Sequence, residues 1–415
     1  MGARLFLETS PLMIRVLRMD EDGPVKIAHA TGDKREALLG DLYRAKVLGH
    51  DPRLGAAFVD LGTGGEGFLR RPGKLPPVGA TLIVEIKREA MGAKGPDVTD
   101  KWSAALPLLR LTAQRATPGP LGEDQLLADR IGPQLSREGE PGRIDICPVE
   151  IRLLMTLGLQ AEDRVIVTTG EAAARLAPFL GGVAETLPMK QIGEQIDLAE
   201  EEALRHRHII PGGGALTIEE TEAAFTVDLD LAQGAGQSKA GAGSRLLAEA
   251  MRPLGRLLSL AGAGGQILID APRGAIAAPK IFRDQLTRAL KPLGRVSVPA
   301  VTPEGCALVV APRPRPSTLM KLTEPFGQGV VQGRRMSAPV ARASAYRALA
   351  AALERNPTAQ RRLVVAPRLA EGLVGEGPAA HLMRERYGPR FEILVDRTFE
   401  EKAVTQGGEA YRVEE

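Results

Sequence analysis

Four short runs in which apolar and polar residues alternate follow one another between residues 42 and 88: LYRAKVLG (42–49), AAFVDLG (56–62), EGFLRR (66–71) and ATLIVEIKR (80–88). Only the turns DPRLG, GTGG and PGKLPPVG separate them. Side chains alternate faces along a strand, so each run has one apolar face to bury. Strands this short, joined by Gly- and Pro-rich turns, build a small antiparallel barrel of the OB type. The chain is poor in aromatics, at 3%, which makes Phe58 and Phe68 on neighbouring strands conspicuous. Such rings either stack nucleic-acid bases on the barrel's outer face or pack its core. Lys87, Arg88 and Lys94 lie close by in sequence.

A chain of 415 residues with 44% hydrophobic content is long enough for two to four domains. Its two cysteines, Cys147 and Cys306, are too few for a disulfide framework or a four-thiolate zinc site. The amino terminus, MGARLFLETSPLMIRVL, carries Glu8 and Arg15 and reads as a strand rather than a secretion signal. No stretch approaches the roughly 20 apolar residues that span a bilayer, so a cytoplasmic protein with no membrane partner is expected. Residues 271–365 carry 16 Lys or Arg against 4 Asp or Glu, which leaves the remainder net acidic. A concentrated basic segment suits phosphate binding, or else a solvated basic face.

Elsewhere the pattern is α/β. Residues 4–18 and 25–30 read as strands joined by a turn at EDGP, and residues 150–180 as helix, strand, helix. A charged helix is expected near IDLAEEEALRHRH. His206 and His208, flanked by Arg205 and Arg207, are expected to be surface or structural histidines. From residue 212 the order is strand, loop, helix, strand, helix, strand, strand, with GALTIEE, AAFTVDLD and GGQILID as apolar runs bounded by turns. Ser244 is expected to cap the first of these helices, and Ile281, Phe282, Leu286, Ala289 and Leu290 form the apolar side of the second. The final segment, with helix SAYRALAAALER, strand RRLVVAP, short helices around AEGLVGEG and AAHLMRERYG and strand RFEILVDR, is a small αβ unit.

Two strands end in carboxylates: AAFTVDLD in Asp228 and Asp230, and GGQILID in Asp270. Asp228 and Asp230 share a face, and a strand-helix-strand crossover brings Asp270 alongside. Carboxylates ending a buried strand call for a cation or hydrogen-bond donors. Mg²⁺ ligation and turn-forming or helix-capping roles both answer that need. GAGQSKAGAGS (234–244) has Lys239 where a dinucleotide fingerprint requires its third Gly and lacks a G-K-[ST], so it reads as a loop.

The chain resembles the ribonuclease E/G endoribonucleases over nearly its whole length. GDLYRAKVLGHDPRLGAAFVDLGTGGEGFL with EIKREAMGAKGPDVTDKWS is similar to the family's S1-type OB-fold, and FTVDLD with GGQILID to its two catalytic strands. TPEGCALVVAPRPR resembles a strand ending in a basic R-x-R, here Arg313 and Arg315. RRLVVAPRLAEGLVGEG and ERYGPRFEILVDRTF resemble its small C-terminal domain. The resemblance implies an α/β multi-domain fold: an RNase H-like domain beginning at 1–36, an S1-type OB-fold over 37–115 and a shortened sensor region with the rest of the RNase H-like domain over 116–217. A DNase I-like catalytic domain over 218–330 and a small domain over 331–415 follow. It implies Asp228, Asp270 and Asp230 as catalytic residues, with Mg²⁺ held by Asp228 and Asp270. It further implies RNA contacts at Phe58, Phe68, Lys94, Arg313 and Arg315, and hydrolysis of single-stranded RNA, whether rRNA or tRNA precursors or mRNA. Asp230 replaces a family Asn, Gln233 an Arg, and Arg273 stands where a second Asp usually follows. A weakened or inactive RNA-binding paralogue is therefore the alternative. The family's 5′-monophosphate sensor and its paired-Cys zinc link have no equivalent here, so any oligomer forms without that link.

Overall fold

The computed structural model describes residues 2–10, 12–31, 36–71, 73–92, 94–101, 138–180, 184–210, 213–230, 242–272, 276, 278–326, 333–374, 378–399 and 410–414. β1 (Arg4–Thr9), β2 (Met13–Asp20) and β3 (Gly23–Thr31) form an antiparallel meander. The single run expected over residues 4–18 is broken into two strands. The Ser10 hydroxyl donates to the Met13 carbonyl at 2.8 Å and accepts from its N–H at 3.2 Å, which turns the chain between them.

The barrel follows. β4 (Leu42–Asp51), β5 (Ala56–Asp60), β6 (Glu66–Arg70), β7 (Thr81–Arg88) and β8 (Asp97–Thr99) pair in the order β5-β6-β8-β7-β4, and β4 pairs back onto β5. Five strands therefore close on themselves in an OB-like barrel. Tyr43, Ala45, Val47, Val59, Leu69 and Ile86 fill it. β8 closes the ring but is only three residues long, too short to show a period in sequence. β9 (Gly142–Ile144) adds to the other side of β4.

Next come α1 (Val149–Thr156), β10 (Arg164–Val167), α2 (Gly170–Leu180), β11 (Glu185–Thr186) and α3 (Met189–Leu204). β10 runs parallel to β1, giving a five-stranded sheet β11-β10-β1-β2-β3 with the barrel inserted between its third and fourth strands in chain order. Leu5, Leu7 and Val16 pack on α1 and α2. Phe6, Leu17 and Ile27 on the other face meet Ile192 and Ile196 of α3. α3 stops at Leu204, before the histidines expected at its end, because the chain extends into β12 (Arg207–Ile209). His206 is exposed and His208 half-buried.

The second sheet holds β12, β13 (Ala215–Glu220), β14 (Phe225–Asp230), β15 (Gly265–Asp270), β16 (Ser297–Val301) and β17 (Cys306–Ala311) in the order β12-β13-β14-β15-β17-β16. β14 and β15 are parallel, and their crossover is α4 (Ala242–Leu260). α4 and α5 (Pro279–Ala289) share one core with the sheet through Leu254, Leu258, Phe282 and Leu286, packed on Val227, Leu229, Ile267, Ile269 and Val309. Ser244 lies inside α4 rather than at its cap. Ile281, expected on the apolar side of α5, is 49% exposed.

α6 (Thr318–Leu322), the hairpin β18 (Thr323–Phe326) and β19 (Gly333–Met336), and α7 (Ala338–Arg355) lead into a last sheet. There β20 (Arg361–Val365) is flanked by β21 (Phe391–Val395) and β22 (Tyr411–Glu414), with α8 (Pro378–Tyr387) between β20 and β21. AEGLVGEG is not a helix in its described part: a 3-10 turn at Pro367–Leu369 precedes an isolated bridge between Glu371 and Val374. Among the described residues no helix is long and apolar enough to cross a membrane.

Candidate active site on the open face of the second sheet

Burial along β14 and β15 alternates strictly. Val227, Leu229, Ile267 and Ile269 turn to the helices, while Asp228, Asp230, Gln266, Leu268 and Asp270 turn to the other face and are exposed. The expectation of carboxylates ending a buried strand is therefore corrected: the strands are buried on one face only, and the acids stand on the other. Desolvation does not force a cation on them. Their mutual placement is what matters.

Asp228 and Asp270 are direct register partners in the parallel pair. Their Cα atoms are therefore about 4.8 Å apart, one strand spacing, and both side chains leave the same face. The pair sits where the two parallel strands end, the position at which α/β sheets usually bind ligands. The row continues on both sides, running Arg207, Thr217, Asp228, Asp270, Cys306 across five strands. Cys306 is a half-buried free thiol. Among the described residues no group of three or more His, Cys, Asp or Glu is placed to hold a metal ion. Two adjacent carboxylates suit Mg²⁺, which keeps several waters and takes only one or two protein oxygens, better than Ca²⁺ or Zn²⁺.

Asp230 lies one row further along β14, opposite Ala215. Arg207 Nη2 reaches Asp230 Oδ2 at 3.3 Å. The negative charge that Asp230 adds beside the pair is thus matched by an arginine from the edge strand. Nothing in the alternation of RHRHII marks Arg207, because its partner lies 23 residues away. Gln233 and Arg273 lie outside the described residues, as does most of the segment searched for a 5′ sensor.

Phe58 and Phe68 are register partners on β5 and β6, with ring centroids 5.7 Å apart and edge-to-face at 61°. Ala57, Val59 and Leu69 point inward, so the half-buried rings belong to the outer surface rather than the core. Arg70 lies over Phe68, 5.8 Å from its centroid. Lys94 is exposed in the turn that leads into β8, the strand beside Phe68. Outer aromatics flanked by cations form a surface on which bases stack.

The basic segment is not a continuous basic surface. Arg313 Nη2 donates to Glu220 at 2.5 Å. Burial lowers the pKa of Arg315, and Glu89 opposes that shift. The Glu89 N–H donates to the Pro314 carbonyl at 2.8 Å, tying the barrel to the second sheet. Arg335 pairs with Glu324, and Lys321 with Glu36. Arg313 is thus engaged within the second sheet, and Arg315 lies under the influence of Glu89 at the end of β7. The exposed cations Lys280, Arg283 and Arg288 of α5 lie on the helical side of the sheet, away from the aspartates.

A second acidic group escaped the sequence reading. Arg15, 1% exposed, donates to Glu8 and Asp197 at 2.5 Å each and to Glu200 at 3.1 Å. His29 Nε2 lies 2.8 Å from Glu200. Burial pushes the Glu200 carboxyl up, but Arg15 and the bond to His29 outweigh it and hold it at about 2. Burial lowers His29 against the pull of Glu200.

No protein-family model matches the chain, and no curated protein matches it.

Proposed function

We propose that this protein is a Mg²⁺-dependent endoribonuclease of the ribonuclease E/G type that cuts single-stranded RNA. The observation that carries the reading is the direct register of Asp228 with Asp270 on the open face at the ends of two parallel strands. In this reading the barrel is an S1-type OB-fold inserted in an RNase H-like domain, the second sheet is a DNase I-like catalytic domain, and residues 331–415 are the small domain.

Asp228 and Asp270 would hold Mg²⁺, which when bound polarises the phosphodiester and makes a water acidic enough to attack it. The chain's own residues bind and orient the strand. Phe58 and Phe68 stack bases on the barrel, and Lys94 contacts the backbone beside them. Hydrolysis breaks the P–O3′ bond, leaving a 3′-hydroxyl upstream and a 5′-phosphate downstream. Mg²⁺ is the cofactor and RNA the partner; the setting is cytoplasmic.

The test is cleavage of an AU-rich single strand by the full chain. Wild type with Mg²⁺ should cut it to 5′-phosphorylated products. Asp270→Asn should not cut, while its RNA affinity stays within about twofold. Equal cleavage by Asp270→Asn would remove the assignment, and binding without cleavage by wild type would favour the non-catalytic RNA-binding reading.

A further inference from the structure

Asp228, Asp230 and Asp270 share one end of the open face, yet the substrate brought to it would be an anion. Asp228 and Asp270 face each other in register, whereas Asp230 has a partner from within the chain, Arg207. The path of that arginine is informative. Arg207 starts on β12, in the row of Asp228, and its guanidinium ends against Asp230 on β14. It therefore crosses β13, over two strand spacings, roughly 10 Å of sheet. β13 presents only Thr217 and Ala215 in these rows, short side chains over which the arginine can lie. A guanidinium anchored on an edge strand is thereby carried to the strand that bears Asp228.

The ion pair is not one that holds a fold together. Arg207 and Asp230 are 49% and 54% exposed and meet through a single contact of 3.3 Å. Exposed pairs of this kind contribute little to stability. They also leave most of the five guanidinium donors unused. A phosphodiester arriving at Asp228 and Asp270 would meet those donors, which suit the planar, bidentate recognition of phosphate oxygens.

We infer that Arg207 is a phosphate-binding catalytic residue of this site, and that Asp230 is a positioning residue that holds its guanidinium over β14. The inference rests on the RNA-cleaving reading and adds to it. Arg207 contacts the non-bridging oxygens of the scissile phosphate and stabilises the negative charge that grows on them as water attacks. Asp230 keeps the arginine from folding back towards β12. The third acid of the face thus acts through Arg207.

The experiment measures cleavage of a single-site RNA by the full chain in Mg²⁺, for wild type, Arg207→Ala, Arg207→Lys, Asp230→Asn and Arg207→Ala/Asp230→Asn. Arg207→Ala should lower kcat on the order of 100-fold, with KM raised by only about the few-fold that one lost phosphate contact implies and the Mg²⁺ concentration for half-maximal activity essentially unchanged. Arg207→Lys should recover part of the loss. Asp230→Asn should lose less than Arg207→Ala and add nothing in its background. A second readout needs no turnover: in EDTA, removal of one phosphate contact should reduce the slope of log Kd against log salt by about 0.7. Arg207→Ala with wild-type kcat, or with an unchanged salt slope, overturns the assignment while leaving the nuclease reading intact. Absence of cleavage by wild type itself overturns both.

Discussion

Two groups of three carboxylates are handled in opposite ways. At the first sheet Glu8 of β1 and Asp197 and Glu200 of α3 converge on Arg15, with His29 closing the group, and every acid has a cation or donor supplied by the fold. In the second sheet Asp228, Asp230 and Asp270 stand on an open face where, among the described residues, Arg207 reaches Asp230. In the first arrangement burial explains the pairing of Glu8 and Glu200, because an unpaired charge in a core costs several kcal/mol, while Asp197 joins them from the exposed side. Exposure permits the second, since water screens the acids until an external cation arrives. In the proposed reading, the contrast separates carboxylates that build the molecule from carboxylates left to act on something else.

The largest expected effect breaks the comparison at its buried end. Arg15→Ala removes the cation that Glu8 and Glu200 share in the core, leaving Arg347 3.9 Å from Glu8 and His29 2.8 Å from Glu200, and should destabilise the protein by about 3–5 kcal/mol in urea unfolding. Arg207→Ala should change stability by less than about 1 kcal/mol. Equal losses would erase the distinction.

Acid comes next. Glu200 stays ionised down to about pH 2 in the folded state, whereas the unfolded chain takes up that proton near pH 4.5. His29 stays neutral below the pH of about 6.5 at which the unfolded chain protonates it. In both cases the unfolded state binds more protons, so stability falls as pH falls. The Glu200 contribution, roughly 3 kcal/mol, is lost between about pH 4.5 and 2. Urea midpoints of Glu200→Gln should show a flatter acid limb than those of wild type.

Smaller effects belong to the exposed surfaces. Phe58→Ala should weaken RNA binding by about 1–3 kcal/mol with an unchanged melting temperature, because the ring lies outside the barrel core. A parallel loss of stability would return Phe58 to the core. Smallest of all, Asp228→Asn in EDTA should stabilise the fold by about 0.2–1 kcal/mol, the cost of like charges directly opposite across strands. A destabilised variant would mean the carboxylate already has a partner.

Much of this geography was legible in the sequence because local rules govern it. Turn residues delimited β4 to β7, and period two placed Asp228 and Asp230 on one face. The crossover over α4 brought in Asp270. What stayed hidden depended on tertiary pairing. β8 is too short to show a period, and Arg207 finds Asp230 only through the sheet. Arg313 and Arg315 read as a basic strand until Glu220 and Glu89 come into view. Whether a carboxylate at a strand end faces helix or solvent depends on which face the helices cover, and that misled the desolvation argument for Asp228 and Asp270.

Metal binding by the Asp228–Asp270 pair is tested most directly by Mn²⁺ titration followed by electron paramagnetic resonance. Wild type should bind one Mn²⁺ that Mg²⁺ displaces, and Asp228→Asn and Asp270→Asn should each lose it. Mn²⁺ bound as tightly by both variants as by wild type would place the metal elsewhere and contradict the assignment of this face.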